Sequence, residues 1–244
     1  VNEGSDGFYL VIRSGSRVLG KEIAEYHQEI AYQKLTQMRQ DLKLQAKAAN
    51  EPDEKADLIQ QREEIKIPYD LSYVSDQDLE NYLSDMQIAQ QYAVFNRQSM
   101  AQTILKAMKW EKQVIESFDS PHNYIDLKRM ILRKGADSAR KNEKMIVPLN
   151  MKDGSIIGVG KGNDEWNQSG PHGAGRTMSR SQARASIRLE NYQRMMRHVW
   201  TTSVSKKTLN EAPKAYKSKK QILTDLHETM EVKEIIRPLY NFKG

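Results

Sequence analysis

The spacing of apolar residues changes twice along the chain and divides it into a helical stretch and a β-rich stretch. Phe8 to Ile12 is a short apolar run, which predicts a strand, and it leads into the polar loop Arg13-Ser14-Gly15-Ser16-Arg17. From Lys21 the spacing becomes three and four: Ile23, His27, Ile30, Ala31, Leu35 and Met38 share one helical face. Asn50-Glu51-Pro52 predicts a second helix start, since proline is tolerated in a first turn. Ser75-Asp76-Gln77-Asp78 has capping-box spacing with Asp in place of Glu, and it precedes Leu79, Tyr82, Leu83, Met86, Ala93, Met100, Ile104 and Met108 at helical intervals. Residues from about 20 to 116 are therefore expected to be mostly helical, with the tyrosines and methionines of the 75–110 stretch as packing groups.

Past Phe118 the pattern shortens. Met130-Ile131-Leu132, Met145-Ile146-Val147 and Ser155-Ile156-Ile157 predict strands, with Asp153-Gly154 as a turn before the last of them. Glycines follow at 158, 160, 162, 170, 173 and 175. Ser179 to Gln182 forms a second capping box and predicts a helix to about His198. Another helix is expected from about Ser218 to Thr229, then a strand from Val232 to Leu239. This order predicts an α+β fold: a mixed β core with a large helical insertion. Residues 1–244 then read as part of one domain, with a helical segment at about 20–116 and a β-rich segment with C-terminal helices at about 117–244.

Composition adds little to this picture. No run of about 18 apolar residues exists, so no membrane partner is expected. The absence of cysteine excludes disulfides and thiolate catalysis within these residues, and a cytoplasmic location is the expectation. A net charge of +6 leans towards an anionic partner such as RNA, though ordinary surface charge explains it as well. Val1 and the residues after it, Asn2 to Gly7, form neither a signal nor a transit peptide; they read as the interior of a longer protein, so the domain is expected to be incomplete.

The densest chemistry lies in Ser169-Gly170-Pro171-His172-Gly173-Ala174-Gly175-Arg176, just before a predicted helix start. Glycines let backbone approach a ligand, a helix N-terminus favours an anion, and an arginine can fork onto phosphate. A neutral imidazole there could attack phosphorus. Spacing alone leaves an incidental histidine in a glycine-rich turn equally open. It favours an ordinary polar loop residue for His122, and a solvated basic face for Arg176, Arg180, Arg184 and Arg188.

The spelling of Pro171-His172-Gly173-Ala174-Gly175-Arg176 resembles the guanylylated-histidine motif of the RtcB family of RNA ligases. The likeness extends, in order, through His122-Asn123-Tyr124, Arg133-Lys134-Gly135-Ala136, Ile146 to Met151, Gly160-Lys161-Gly162-Asn163, Glu211 to Lys217 and Asn241-Phe242-Lys243-Gly244, with Ser14-Gly15-Ser16-Arg17 upstream. The resemblance implies a GTP- and manganese-dependent ligase. It would join RNA ends bearing a 2′,3′-cyclic phosphate or 3′-phosphate to 5′-hydroxyl ends, in RNA repair or tRNA splicing, through GMP bound covalently to His172. By the same resemblance His122 ligates manganese, and His122, Asn123, Leu149, Asn150, Met151, Lys152, Ser155, Gly173, Ala174, Gly175, Tyr216 and Lys243 contact GMP. Arg17, Arg176 and Arg180 would meet RNA phosphates. Broken RNA, tRNA included, is the implied partner, and an accessory activating protein is left open.

Two departures qualify the likeness. The family's upstream Asp/Cys metal motif and its Gly-Asn-His motif are not in these residues. Arg13 stands where the family has a histidine ligand, and a guanidinium offers no lone pair to a metal. A catalytically disabled, nucleic-acid-binding relative is the alternative these departures raise.

Overall fold

The computed structural model describes residues 1–243, in two compact units: Val1–Ile12 with the chain from Ala101 onward, and Arg13–Met100.

The second unit is helical. α1 (Arg17–Ala48) and α3 (Asp76–Met108) form where the three-and-four spacing placed them, and α2 (Pro52–Glu64) starts at the expected proline. The last residues of α3, from Ala101, group with the first unit. Pro52 opens α2, where its missing N–H costs nothing. Ser75 closes the first turn of α3 through its carbonyl, which accepts from Asp78 and Leu79. α1 and α3 are held together by the buried His27, whose Nε2 lies 2.8 Å from Asp85 Oδ2, and by the Lys34–Asp78 ion pair.

The first unit carries the sheets. β1 (Asn2–Glu3), β2 (Phe8–Tyr9), β5 (Lys144–Pro148), β6 (Ser155–Gly160) and β9 (Met230–Pro238) form a five-stranded antiparallel sheet in the order β2-β1-β9-β6-β5. β3 (His122–Asp126), β4 (Ile131–Ser138) and β7 (Ser169–Pro171) form a three-stranded antiparallel sheet with β4 in the centre. β8 (Trp200–Thr201) and β10 (Tyr240–Asn241) pair in parallel, which makes the β content mixed. The fold is α+β, as expected.

Alternation sets the core. Met145 and Val147 of β5 point inward with Ile156 of β6 and Met230 of β9, against Leu149, Ala174, Ile222 and Leu226. A second cluster gathers Met151, Ala183, Ile187, Tyr192, Met196, Ala212 and Ala215, and Tyr216 packs against both.

Three expectations are corrected. The run Phe8–Ile12 yields only Phe8–Tyr9 as strand, because its partner β1 is two residues long. The helix predicted from Ser179 to His198 is two helices, α4 (Arg180–Ser186) and α5 (Leu189–Met196). Its capping box is present, but Ser186 Oγ donates back to Gln182 O at 2.7 Å, a helix-end habit of serine. Ile187 then turns extended and buries its side chain. The last predicted helix is α6 (Lys219–Asp225), finished by a 3-10 turn at Leu226–Glu228. Gly244 lies outside the described residues.

Candidate active site

Strand register brings two histidines, fifty positions apart in sequence, face to face. β7 pairs with β4 so that Pro171 opposes Ala136, which delivers His172 beside Gly135. On the other side of β4, His122 opposes Asp137. The two imidazoles stack with centroids 5.1 Å apart and planes 20° from parallel.

Gly135 is the pivot. Its carbonyl lies 2.6 Å from His172 Nδ1. A carbonyl can only accept, so Nδ1 carries the proton, and a neutral ring presents its lone pair at Nε2. The Gly135 N–H donates to Asn123 Oδ1 at 2.6 Å. Gly135 has φ +72°, in the left-handed region. A β-carbon there would meet the His172 ring at 3.5 Å, an ordinary contact, so glycine is needed for its backbone rather than for room. Asn123 has φ +56°, a conformation asparagine tolerates, at the irregular register between His122 and Tyr124. The Asn123 side chain, expected on the nucleotide, thus spends its oxygen orienting Gly135.

A charged pillar stiffens the same sheet. Asp126 on β3 is buried, paired with Arg140 and within 3.6 Å of Arg133 Nη1 and 3.8 Å of Arg129 Nη1. Burial alone would push its carboxyl up. The Arg140 charge and the backbone N–H groups of Arg129 and Lys128 outweigh that and hold it below the usual range. Arg133, its side chain only 1% exposed, also donates to Ser169 Oγ, Tyr124 OH and Asn167 O, so one guanidinium ties β3, β4 and β7 together.

The residues after His172 lie on a hairpin tip. Ala174 N–H donates to Pro148 O at 3.0 Å. Asn150 Oδ1 accepts from the N–H groups of Lys152 and Asp153, and Asn150 Nδ2 donates to Asp153 Oδ2, an Asx turn that shapes the tip. Gly154 (φ +79°) returns the chain to Ser155, and a β-carbon on it would collide with Ile236 O. Asn241 Nδ2 fastens the tip from the C-terminal side by donating to Met151 O at 2.6 Å. The tip thereby meets the loop after His172 at Pro148, which accepts from Ala174 N–H, and at Leu149, which shares a core cluster with Ala174.

Segments 175–177 and 215–217 then run side by side, with Lys217 N–H on Gly175 O and Thr177 N–H on Ala215 O. Between them sits a hub centred on Glu211. Its Oε1 accepts from Arg176 Nη2 at 3.0 Å and Asn210 Nδ2 at 2.8 Å; its Oε2 accepts from Tyr216 OH at 2.7 Å and lies 3.5 Å from Lys243 Nζ. The Arg176 guanidinium also covers the Tyr216 ring at 4.7 Å. Burial pushes Glu211 up, but the Tyr216 hydroxyl and the charges of Lys243 and Arg176 bring it below its ordinary value. It therefore stays ionised at neutral pH and holds Tyr216 and Lys243 in place.

Sequence reading missed this hub role, although Glu211 is the sole acid between Glu190 and Asp225. Arg176, expected on phosphate, has its guanidinium on Asn210, Glu211 and Tyr216. The four-arginine face is broken: Arg180 and Arg184 lie on α4, Arg184 reaches Asn210 Oδ1 at 3.3 Å, and Arg188 occupies the residue before α5 in extended conformation. Arg13 and Arg17 belong to the helical unit.

Among the described residues no three His, Asp or Glu side chains converge as metal ligands, and the imidazole next to His122 is committed at Nδ1 to Gly135.

A family model for the tRNA-splicing ligase RtcB matches residues 3–244. The chain belongs to the RtcB family. Among relatives, the RNA-splicing ligase RtcB of Escherichia coli K12 is 26% identical over 98% of this chain, and the RNA-splicing ligase RtcB1 of a second Escherichia coli strain is 27% identical over the same share. The tRNA-splicing ligase RtcB of Nanoarchaeum equitans is 29% identical over 76% of the chain. The aligned region is 57% of each Escherichia coli protein and 46% of the archaeal one, so this RtcB-family chain spans about half the length of the relatives it matches. Among its described residues no helix is long and apolar enough to cross a membrane.

Proposed function

We propose that this RtcB-family chain carries the nucleotide-transfer centre of a GTP-dependent RNA ligase, with His172 as the covalent nucleophile. The supporting observation is the hydrogen bond from His172 Nδ1 to Gly135 O, which leaves Nε2 as the nitrogen able to attack. Nε2 attacks the α-phosphorus of GTP; the N–P bond forms as the bond to the bridging oxygen breaks, and pyrophosphate leaves. The ring then bears Nδ1–H and a phosphorylated Nε2, a cation that the Gly135 carbonyl stabilises. An RNA 3′-phosphate oxygen displaces His172 from phosphorus and takes the GMP. The 5′-hydroxyl of the second end then attacks the activated 3′-phosphate, a phosphodiester forms and GMP departs. A 2′,3′-cyclic end first needs opening by water to a 3′-phosphate. Positioning carries most of such catalysis.

The hairpin tip at 149–152 with Ser155 and the Gly173–Gly175 backbone line the GMP phosphate and ribose in this reading, and Tyr216 and Lys243, set by Glu211, face the guanine. Manganese would take His122 here and would need further ligands that the described residues do not supply. The names of the relatives, RNA-splicing and tRNA-splicing ligases, favour broken RNA as the substrate.

The test is incubation of the protein with α-labelled nucleoside triphosphates. A label from GTP that survives alkali and is lost in acid, as a phosphoramidate is, is expected; the reading fails if ATP labels as well as GTP or if the label is acid-stable. Asn123→Ala removes the acceptor that fixes Gly135, and the labelling rate should fall about tenfold, on the scale of a misplaced catalytic group. Asn123→Asp keeps a side-chain oxygen there and should recover most of the rate. Equal rates in the wild type and Asn123→Ala would remove Asn123 from the positioning role.

A second reading, a nucleic-acid-binding relative without ligase activity, is favoured by Arg13 at the family's histidine position. It predicts RNA binding with no covalent label.

A further inference from the structure

Lys152, at the hairpin tip, also lines an open groove of about 330 Å³ with Asn191, Arg194, Met195, Arg197 and His198. Asn191, Arg194, Met195 and His198 recur at three and four residues on the outer face of α5 and its C-terminal extension, opposite the buried Tyr192 and Met196. Cations at a helix C-terminus are common because they offset its dipole. Lys152, however, comes from another segment, and no carboxylate lines the groove. Among the described residues, Lys152, Arg194 and Arg197 form no ion pair, whereas Arg176 and Lys243 both face Glu211. Arg197 Nε donates to His198 Nε2 at 2.8 Å, so the His198 proton sits on Nδ1, as a further donor.

Two other observations point to nucleic acid. The unit containing the groove holds 27 Lys and Arg against 17 Asp and Glu, while the helical unit holds 11 against 15, so the positive charge is concentrated on the groove's unit. Just beyond His198, Trp200 is 78% exposed and paired with Tyr240, and Phe242 is 70% exposed. Cations along a groove with uncovered aromatic rings at its end are the features that hold a single strand, phosphates on the cations and bases on the rings.

We propose that this groove is a phosphodiester track for a single-stranded RNA end, with Lys152, Arg194 and Arg197 on successive phosphates and Trp200 stacking a base. Lys152 belongs to both the track and the tip beside the His172 loop, so a strand in the groove is led towards that loop. The inference deepens the ligase reading, on which its choice of RNA rests. The same cations could instead hold the triphosphate of the nucleotide, and the test separates the two sources.

Binding of a fluorescent single-stranded RNA of about 12 nucleotides with a 3′-phosphate is followed by anisotropy without GTP, and GTP labelling is measured separately. Arg194→Ala/Arg197→Ala should weaken RNA binding about tenfold and reduce the salt slope by about 1.4, two phosphate contacts on a single strand. Trp200→Ala should weaken binding about fivefold with the slope unchanged, the lower end of a lost base stack. GTP labelling should be equal in all three proteins. These positions are exposed, and thermal melting confirms that the variants fold. RNA affinity within twofold of wild type in both variants overturns the track. Labelling that falls in parallel with RNA binding assigns the groove to the triphosphate, and displacement of RNA by polyglutamate as readily as by unlabelled RNA assigns it to anions in general; either outcome overturns the proposal. If no protein labels with GTP while the RNA results stand, the ligase reading fails and the track survives.

Discussion

His172→Ala is expected to abolish covalent labelling by GTP while leaving the fold intact. The side chain sits at the end of β7, half-buried, and its hydrogen bond is to the Gly135 carbonyl rather than to a core group. Its removal should therefore cost little stability, about 1 kcal/mol for the lost hydrogen bond. The chemical loss should be complete, because Nε2 of His172 is the nitrogen whose lone pair the Nδ1 bond to Gly135 leaves available. His172→Gln, of similar length and without an imidazole, should be equally inactive. Labelling of His172→Ala at more than a hundredth of the wild-type rate, in a protein with an unchanged melting curve, would remove His172 as the nucleophile.

The second large effect concerns stability. Asp126→Ala strips the buried carboxylate from Arg133 and should destabilise the protein by about 3 kcal/mol, the lower end of the cost of breaking a buried ion pair. The lower end applies because Arg133 keeps Ser169, Tyr124 and the Asn167 carbonyl as partners. Tm should fall by roughly 6–12 °C. The pH dependence has a definite sign. The Asp126 carboxyl is held below its usual value when folded, so its contribution is complete above the unfolded pKa near 3.9 and is lost as pH falls through the lower folded value. The gap between wild type and Asp126→Ala should be constant from about pH 5 to 8 and should close below about pH 4. A gap under about 1 kcal/mol at pH 7, or one that persists unchanged below about pH 3, would show that Asp126 is not the charge that holds the three strands together.

What could be read from the sequence divides along physical lines. Local signals were reliable: the three-and-four spacing from Ile23 to Met38, Pro52 at a helix start, the Ser179 capping box and the Asp153-Gly154 turn each form as read. All depend on neighbours within a few residues. The break at Ile187 was hidden because it depends on a side chain finding the second core cluster. The His122–His172 stack depends on the register of both β3 and β7 against β4, which no residue near either histidine encodes. Asn123 and Glu211 lie in motifs legible in the sequence, but their roles, holding Gly135 and setting Tyr216 and Lys243, are relations between distant segments. Arg176 had the right chemistry for phosphate, and only the packing of 175–177 against 215–217 reveals the carboxylate that engages it.

The proposed GMP transfer turns on one nitrogen, and its chemistry can be read directly. The protein labelled with GTP should be digested under alkaline conditions that preserve phosphoramidates, the modified peptide located by mass spectrometry, and the linkage assigned by phosphorus–proton NMR of the isolated adduct. Because Nδ1 is bound to the Gly135 carbonyl, GMP should be found on His172 and linked through Nε2. GMP on Nδ1 of His172, on a lysine, or on His122 would contradict the account.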